Sequence, residues 1–217
     1  MKKLLLIIGF IFIILIAIIL LYIRKEGFKY SIINSKPKIN EPLKLEKIPK
    51  KIALLAFKSE KKMELWGLYK DKWDYIKTYK ILGASGKLGP KLKEGDCQVP
   101  EGIYKIIGMN PKSKYYYAML IDYPNEFDKK KAAEVNRTNL GGDICIHGTN
   151  LSVGCIAIGD YSKELYDLVE QVKLNNTKVI ISPYDFRNQE ELSIDSEIDF
   201  IPELYEKIKK ELGDFHK

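Results

Sequence analysis

The sequence predicts a β-rich α+β fold with peripheral helices, preceded by one transmembrane helix. Three observations carry that reading. Short apolar and aromatic runs are separated by Gly, Pro and Lys-Asp turns, a clear helical apolar face appears only late in the chain, and one long uncharged segment stands at the start. The 217 residues suit one domain of ordinary size with appendages, and an apolar content of 46% is enough for a core.

The uncharged segment is Leu4–Ile23. A helix of that length spans about 30 Å, the hydrocarbon thickness of a bilayer. Lys2 and Lys3 precede it, and Arg24, Lys25 and Lys29 follow, so charge alone leaves its orientation nearly balanced. A cleaved signal peptide has a shorter apolar stretch ending in small residues, and no Ala-x-Ala-like site follows here. The reading is an uncleaved single-pass anchor in the cell membrane, with residues 1–3 as a cytoplasmic tip and the bulk exported. Residues 24–49 mix Lys, Pro, Asn and Ser with isolated apolars and read as a tether. A catalytic domain is then expected over 50–185, and a C-terminal helical extension over 186–217.

Within the domain, Ile52–Phe57, Met63–Tyr69 and Trp73–Tyr79 read as a β-meander. Gly83–Pro90 is glycine-rich but lacks the Gly-Lys-Ser/Thr ending of a phosphate loop, so it reads as a surface loop. Ile103–Ile107 is a strand after the turn Gly95–Gly102, and the Tyr-rich stretch Lys114–Tyr123 is strand-like. Lys129–Val135 suits a short helix. Ser162 can cap a helix running to about Leu174, with Leu165, Leu168, Val169 and Val172 on one face. Lys178–Ser182 is a last strand. Pro202–Leu212, with Gly213 just past its end, is a helix whose stripe of Leu204, Ile208 and Leu212 packs on the domain or on a partner.

The net charge of +7 is scattered and mixed with acids, which describes a solvated surface weakly attracted to anionic lipid or an anionic wall polymer. No nucleic-acid motif is present, so no nucleic-acid partner is expected. Three cysteines make an odd number without framework spacing, leaving at least one free thiol.

The chemistry concentrates in Gly141–Ile158, which holds one of the two histidines and two of the three cysteines. An imidazole beside a thiol stabilises the thiolate that acts as nucleophile. Cys145, Ile146 and His147 read as one strand, with Cys145 and His147 on the same face, and Gly148 permits a sharp exit from it. Ser152–Cys155 reads as a tight loop into a second short strand, Ile156–Ile158. Either Cys145 or Cys155 can meet His147. Cys145 lies in an apolar run and reads as inert core, whereas Cys155 follows Gly154 at a bend whose backbone N–H groups can serve an oxyanion. A Cys145–Cys155 disulfide is compatible with the sequence and would silence the nucleophile. Zinc needs three or four ligands, which would have to be recruited from afar, so neither metal nor other cofactor is expected. Cys97 reads as a small, partly buried residue.

Ile146-His147-Gly148 followed by Ser152-x-Gly154-Cys155-Ile156 resembles the L,D-transpeptidase (YkuD-like) catalytic domain of bacterial cell-wall enzymes. Gly95-Asp96-x-x-x-Pro100-Glu101-Gly102-x-Tyr104, Tyr123-Pro124-Asn125-x-x-Asp128 and Gly141-Gly142-Asp143-Ile144 fit the same resemblance. They point to its YafK-like branch and related L,D-carboxypeptidases. The resemblance covers roughly Lys51 to Ser182. It implies a β-sandwich-like domain in which Cys155 attacks a peptidoglycan stem peptide, His147 is the base and then the acid, and the Gly148 carbonyl orients the imidazole. It further implies oxyanion and substrate contacts from Gly154, Ser152, Thr149, Asn125 and Tyr123. The thioacyl intermediate would pass to an amine in transpeptidation, or to water in an L,D-carboxypeptidase or amidase. A catalytically idle wall-binding module is the non-enzymatic alternative. Val153 stands where the commoner pattern has a second His, and Ala157 where it has a polar residue.

Overall fold

The structure is a computed structural model in which residues 43–188 and 198–217 are described. The expected anchor Leu4–Ile23 and residues 24–42 of the tether lie outside them. Among the described residues, no helix is long and apolar enough to cross a membrane.

The opening meander is present as β1 (Lys51–Phe57), β2 (Lys62–Tyr69) and β3 (Lys72–Lys80), paired antiparallel in succession. The chain continues through β4 (Gly83–Ala84), β5 (Gly102–Asn110), β6 (Ala118–Ile121), β7 (Cys145–His147), β8 (Ile156–Ala157) and β9 (Thr177–Ser182). Among the described residues these nine strands follow one hydrogen-bonded order, β3-β2-β1-β9-β5-β6-β7-β8-β4. The first half of β5 pairs with β9 and its second half with β6, with a register shift between Ile106 and Gly108. Such an irregularity bends a strand. The sandwich-like expectation is therefore met by one β-rich sheet that curls, with β5 in both halves, rather than by two separate sheets.

β1 shows why the centre is stable. Its apolar run is buried on both faces, as a parallel partner in β9 allows. Ile52, Leu54 and Ala56 enter a core shared with Leu65, Ile106, Met119, Ile146, Ile156 and Val179. Ala53, Leu55 and Phe57 enter a second core with Trp66 and Ile180.

Three α-helices cover these cores among the described residues: α1 (Glu126–Glu134), α2 (Ser162–Val172) and α3 (Ile201–Leu212). The predicted stripe of α2 closes the first core. Leu204, Ile208 and Leu212 of α3, with Phe215, close the second, so this helix packs on the sheet. Each such fully buried Leu or Ile contributes about 1.5–3 kcal/mol.

Four local expectations are corrected. The Tyr-rich stretch is a strand only over Ala118–Ile121, because Tyr116 (φ 60°) and Tyr117 (φ 43°) turn the chain. The glycine-rich segment supplies the edge strand β4, which pairs Gly83 with Ala157 and Ala84 with Ile156. Helix α1 starts earlier than its pattern suggested because Asn125 and Asp128 form a capping box. Ser162 does not cap α2; Tyr161 stands at the cap, and the buried Ser162 Oγ has no hydrogen-bond partner among the described residues.

Candidate active site

The site is made by register. β7 and β8 run parallel with Ile146 opposite Ile156 and His147 opposite Ala157. One step back along the same ladder brings Cys145 level with Cys155. Side chains alternate along each strand, so Cys145, His147, Cys155 and Ala157 share one face, while Ile146 and Ile156 point into the first core. His147 thus meets Cys155 on the diagonal, across the interval in which the chain makes its loop.

This corrects the reading of Cys145 as inert core. Cys145 is half-buried, and its backbone N–H donates to the Cys155 sulfur at 3.4 Å. The Cys145 side chain stands on the same face as that sulfur, one ladder position from the Ile146–Ile156 pair. All three cysteines are free, and Cys97 is exposed rather than partly buried, at φ 54° with its sulfur 3.5 Å from the Gly95 oxygen. Nothing in the local spacing prefers the register that aligns Cys145 with Cys155, because strand pairing is a long-range choice.

His147 is buried, and its Nδ1 hydrogen-bonds the Gly148 carbonyl oxygen. A carbonyl can only accept, so Nδ1 carries the hydrogen and Nε2 is left for the thiol. The Tyr115 ring lies against the imidazole, with centroids 5.0 Å apart. The hydrogen bond from the Cys145 thiol is the largest influence on Cys155; burial opposes it, and the hydrogen bond from His147 adds to it, so the net effect holds the Cys155 thiol well below its ordinary range. The same Cys155–Cys145 hydrogen bond, together with burial, pushes the Cys145 thiol far up. The two shifts run in opposite directions and favour ionisation of Cys155 over Cys145.

The loop before Cys155 is tied down at several points. Ser152 Oγ hydrogen-bonds the Cys155 carbonyl oxygen. Gly154 has φ 92°, which favours glycine, and its N–H donates to Ser85 Oγ at 2.6 Å. Ser85 Oγ in turn donates to the Cys97 oxygen at 2.6 Å. The Gly154 N–H, which the family resemblance assigns to an oxyanion, is thus engaged with Ser85, a residue of a segment whose sequence has the character of a plain loop. Gly148 is required for space rather than for a turn: a Cβ there would meet Ser162 Oγ at 2.8 Å and the Tyr115 oxygen at 3.0 Å. The left-handed turn falls on Thr149, at φ 65°.

Other motif residues build scaffold. Asn125 accepts from the Asp128 N–H and donates to the Ile103 oxygen, 3.0 Å in each case. Tyr123 is buried, and its hydroxyl donates to the Leu140 oxygen at 3.2 Å. Both side chains are engaged with the scaffold. Asp96 accepts from the N–H groups of Leu92, Lys93 and Gln98 and so shapes the loop ahead of β5. Glu101 pairs with Lys58 at 2.9 Å, both side chains being buried. These residues position the segment that carries Ser85 and Gln98 against Gly154.

A curled β-sheet that presents a thiol and an imidazole from adjacent parallel strands has close relatives in sequence. A family model for the L,D-transpeptidase catalytic domain matches residues 53–181. This is more than half of the chain, and the chain belongs to that family. YafK of Escherichia coli K12 is 29% identical over 158 residues, covering 71% of this chain and 62% of YafK, with the same figures for its O157:H7 counterpart. The chain therefore spans less than two thirds of the length of these relatives. Among solved structures, the helical cell shape determining protein Pgp2 of Campylobacter jejuni is similar, with a TM-score of 0.50 and 26% identity over 62% of this chain and 48% of Pgp2.

Proposed function

We propose that this protein is a peptidoglycan-modifying cysteine enzyme of L,D-transpeptidase type. The observation that carries the reading is the Cys155 sulfur itself, held by the Cys145 N–H and by His147, in a chain of the L,D-transpeptidase family. Cys155 attacks the carbonyl before a D-amino acid in a stem peptide and forms a thioacyl intermediate. His147, its Nδ1 fixed by Gly148, takes the Cys155 proton on Nε2, gives that proton to the departing amine and then takes one from the incoming acceptor. Because the Gly154 N–H is engaged with Ser85, the Cys155 N–H is the backbone donor assigned to the oxyanion. Thr149 and Ser152, in the loop between His147 and Cys155, are assigned to the substrate.

Hydrolysis is the second reading. Val153 is 74% exposed beside the nucleophile, and Ala157 is fully buried, so these two positions offer an acceptor amine no polar contact. The uncharged segment Leu4–Ile23 is proposed to anchor the domain to the cell membrane with its catalytic face exported, a claim that protease accessibility in intact cells and spheroplasts tests.

The deciding experiment is mass spectrometry of muropeptides incubated with the protein and with Cys155→Ser. New cross-links or exchanged D-amino acids identify transfer, and shortened stems identify hydrolysis. Products that persist unchanged with Cys155→Ser overturn the assignment. A parent protein that binds sacculi but leaves Cys155 unlabelled by a carbapenem is instead a wall-binding module.

A further inference from the structure

Cys145 stands beside the proposed nucleophile, and its side chain has no part in the chemical steps above. The β7–β8 ladder runs Ile146↔Ile156 and His147↔Ala157, so its extension sets Cys145 beside Cys155. Parallel neighbours lie about 4.8 Å apart, which brings their side chains together on the shared face. The Cys145 N–H reaches the Cys155 sulfur at 3.4 Å, and the Cys155 sulfur lies 3.8 Å from the Asp143 carbonyl oxygen. The segment across from them is itself pinned, with Gly154 tied to Ser85.

We propose that Cys145 is a second catalytic thiol, whose backbone N–H and S–H both donate to the Cys155 sulfur and hold its negative charge during formation and breakdown of the thioacyl intermediate. The inference rests on Cys155 being the nucleophile and adds a group that touches the reacting atom. No bond to Cys145 is formed or broken. When Cys155 becomes acylated its sulfur loses charge and the Cys145 hydrogen bond weakens. When the thiolate leaves, the same donor receives it again, so the donor favours thiolate as attacking and as leaving group alike. The titratable groups that face the pair are His147 on the same strand and Asp143 just before it; the neighbours from the facing loop, Ser85 and Gln98, do not titrate.

The geometry explains why a thiol suits this position. A carboxylate would repel the thiolate, and an apolar residue would leave the sulfur with the backbone donor and His147 alone. A neutral S–H, with its own ionisation suppressed by the charge beside it, remains a donor across the working pH range.

The test uses a Cys97→Ser background, because Cys97 is exposed and would compete for reagent. The rate of iodoacetamide alkylation is followed against pH, with Cys155 and Cys145 peptides assigned by mass spectrometry. The parent is expected to show Cys155 half-reactive well below the ordinary thiol range of about 8.5, with Cys145 unreactive over the same interval. Cys145→Ala should raise the Cys155 midpoint by about one unit, a tenfold loss of thiolate below it, and Cys145→Ser should restore part of the shift through its hydroxyl. A Cys155 midpoint unmoved in a folded Cys145→Ala protein overturns the proposal. So does a parent in which both thiols titrate together near the ordinary range, a measurement that needs no change at Cys145. Alkylation reads the sulfur without muropeptide turnover, so a preserved shift in a protein without turnover would remove the enzymatic reading and leave the thiol pair standing.

Discussion

Replacing Lys58 by Met should unfold the domain far more readily than loss of a surface lysine would. Lys58 is 8% exposed and Glu101 is fully buried, and the pair is 2.9 Å apart. Lys58 also donates to the Gly89 oxygen at 2.9 Å and the Val99 oxygen at 3.1 Å, while Glu101 accepts from the Gly89 N–H and the Tyr205 hydroxyl, both at 2.7 Å. Removing the ammonium leaves a buried carboxylate with two neutral donors and takes its donor from the Val99 carbonyl, while the Gly89 carbonyl keeps Gln98 Nε2. Breaking a buried pair in this way costs about 3–5 kcal/mol. For a domain of this size each kcal/mol lowers Tm by about 2–4 °C, so a drop of roughly 6–20 °C is expected. Urea unfolding of Lys58→Met, Glu101→Gln and the double variant measures it. The double variant should be more stable than the sum of the single losses by at least about 1 kcal/mol, because it no longer buries a lone charge. A loss of less than 1 kcal/mol for Lys58→Met, or strict additivity, would refute the reasoning. The same variant should release the segment that holds Ser85 against Gly154, so Cys155 labelling should slow in step with stability.

Ser85→Ala leaves the Gly154 N–H and the Cys97 carbonyl without their partner; a stability loss of about 1 kcal/mol and slower acylation of Cys155 by a carbapenem are expected, read by denaturation and by labelling rate. Gly148→Ala places a Cβ 2.8 Å from Ser162 Oγ and 3.1 Å from Tyr116 Cβ, an overpacking cost of about 1–3 kcal/mol that also displaces the carbonyl holding His147, so turnover should fall further than stability. Burial raises Glu64 and Asp185, but hydrogen bonds from Lys217 and Arg187 to Glu64, and from Arg187 to Asp185, outweigh it and hold both below the usual carboxylate range. Their contribution is therefore complete above the carboxylate value of the unfolded chain and is lost as pH falls through their lowered folded values. Arg187→Met should flatten the acid limb of a stability–pH profile, and an unchanged limb would contradict the assignment.

Local physics was legible in the chain. The apolar run of β1 and the partial alternation of β2 and β3 marked them as strands, and the period of a helix likewise made the stripes of α2 and α3 visible. The pairing of a histidine with Cys155 was legible too, since the glycines and short apolar runs around Gly141–Ile158 mark two strands joined by a tight loop. Local spacing misjudged what depends on partners from elsewhere. Ser85 looked like loop and holds Gly154, and Gly148 looked like a turn glycine and is a point of close approach; Asn125, to which the family resemblance assigns a substrate contact, caps α1.

What the sequence by itself determined is the inventory and its local order: apolar runs sized for a curled sheet, one histidine and one cysteine bounding a glycine-rich turn, and a long uncharged segment at the start. Only the tertiary structure decided the register of β7 against β8, and with it that Cys145 stands beside Cys155 rather than in the core. Period two fixes which residues share a face, but strand register is set by buried partners from distant parts of the chain, here Ile146 and Ile156 entering a common core with Leu54, Leu65 and Leu165.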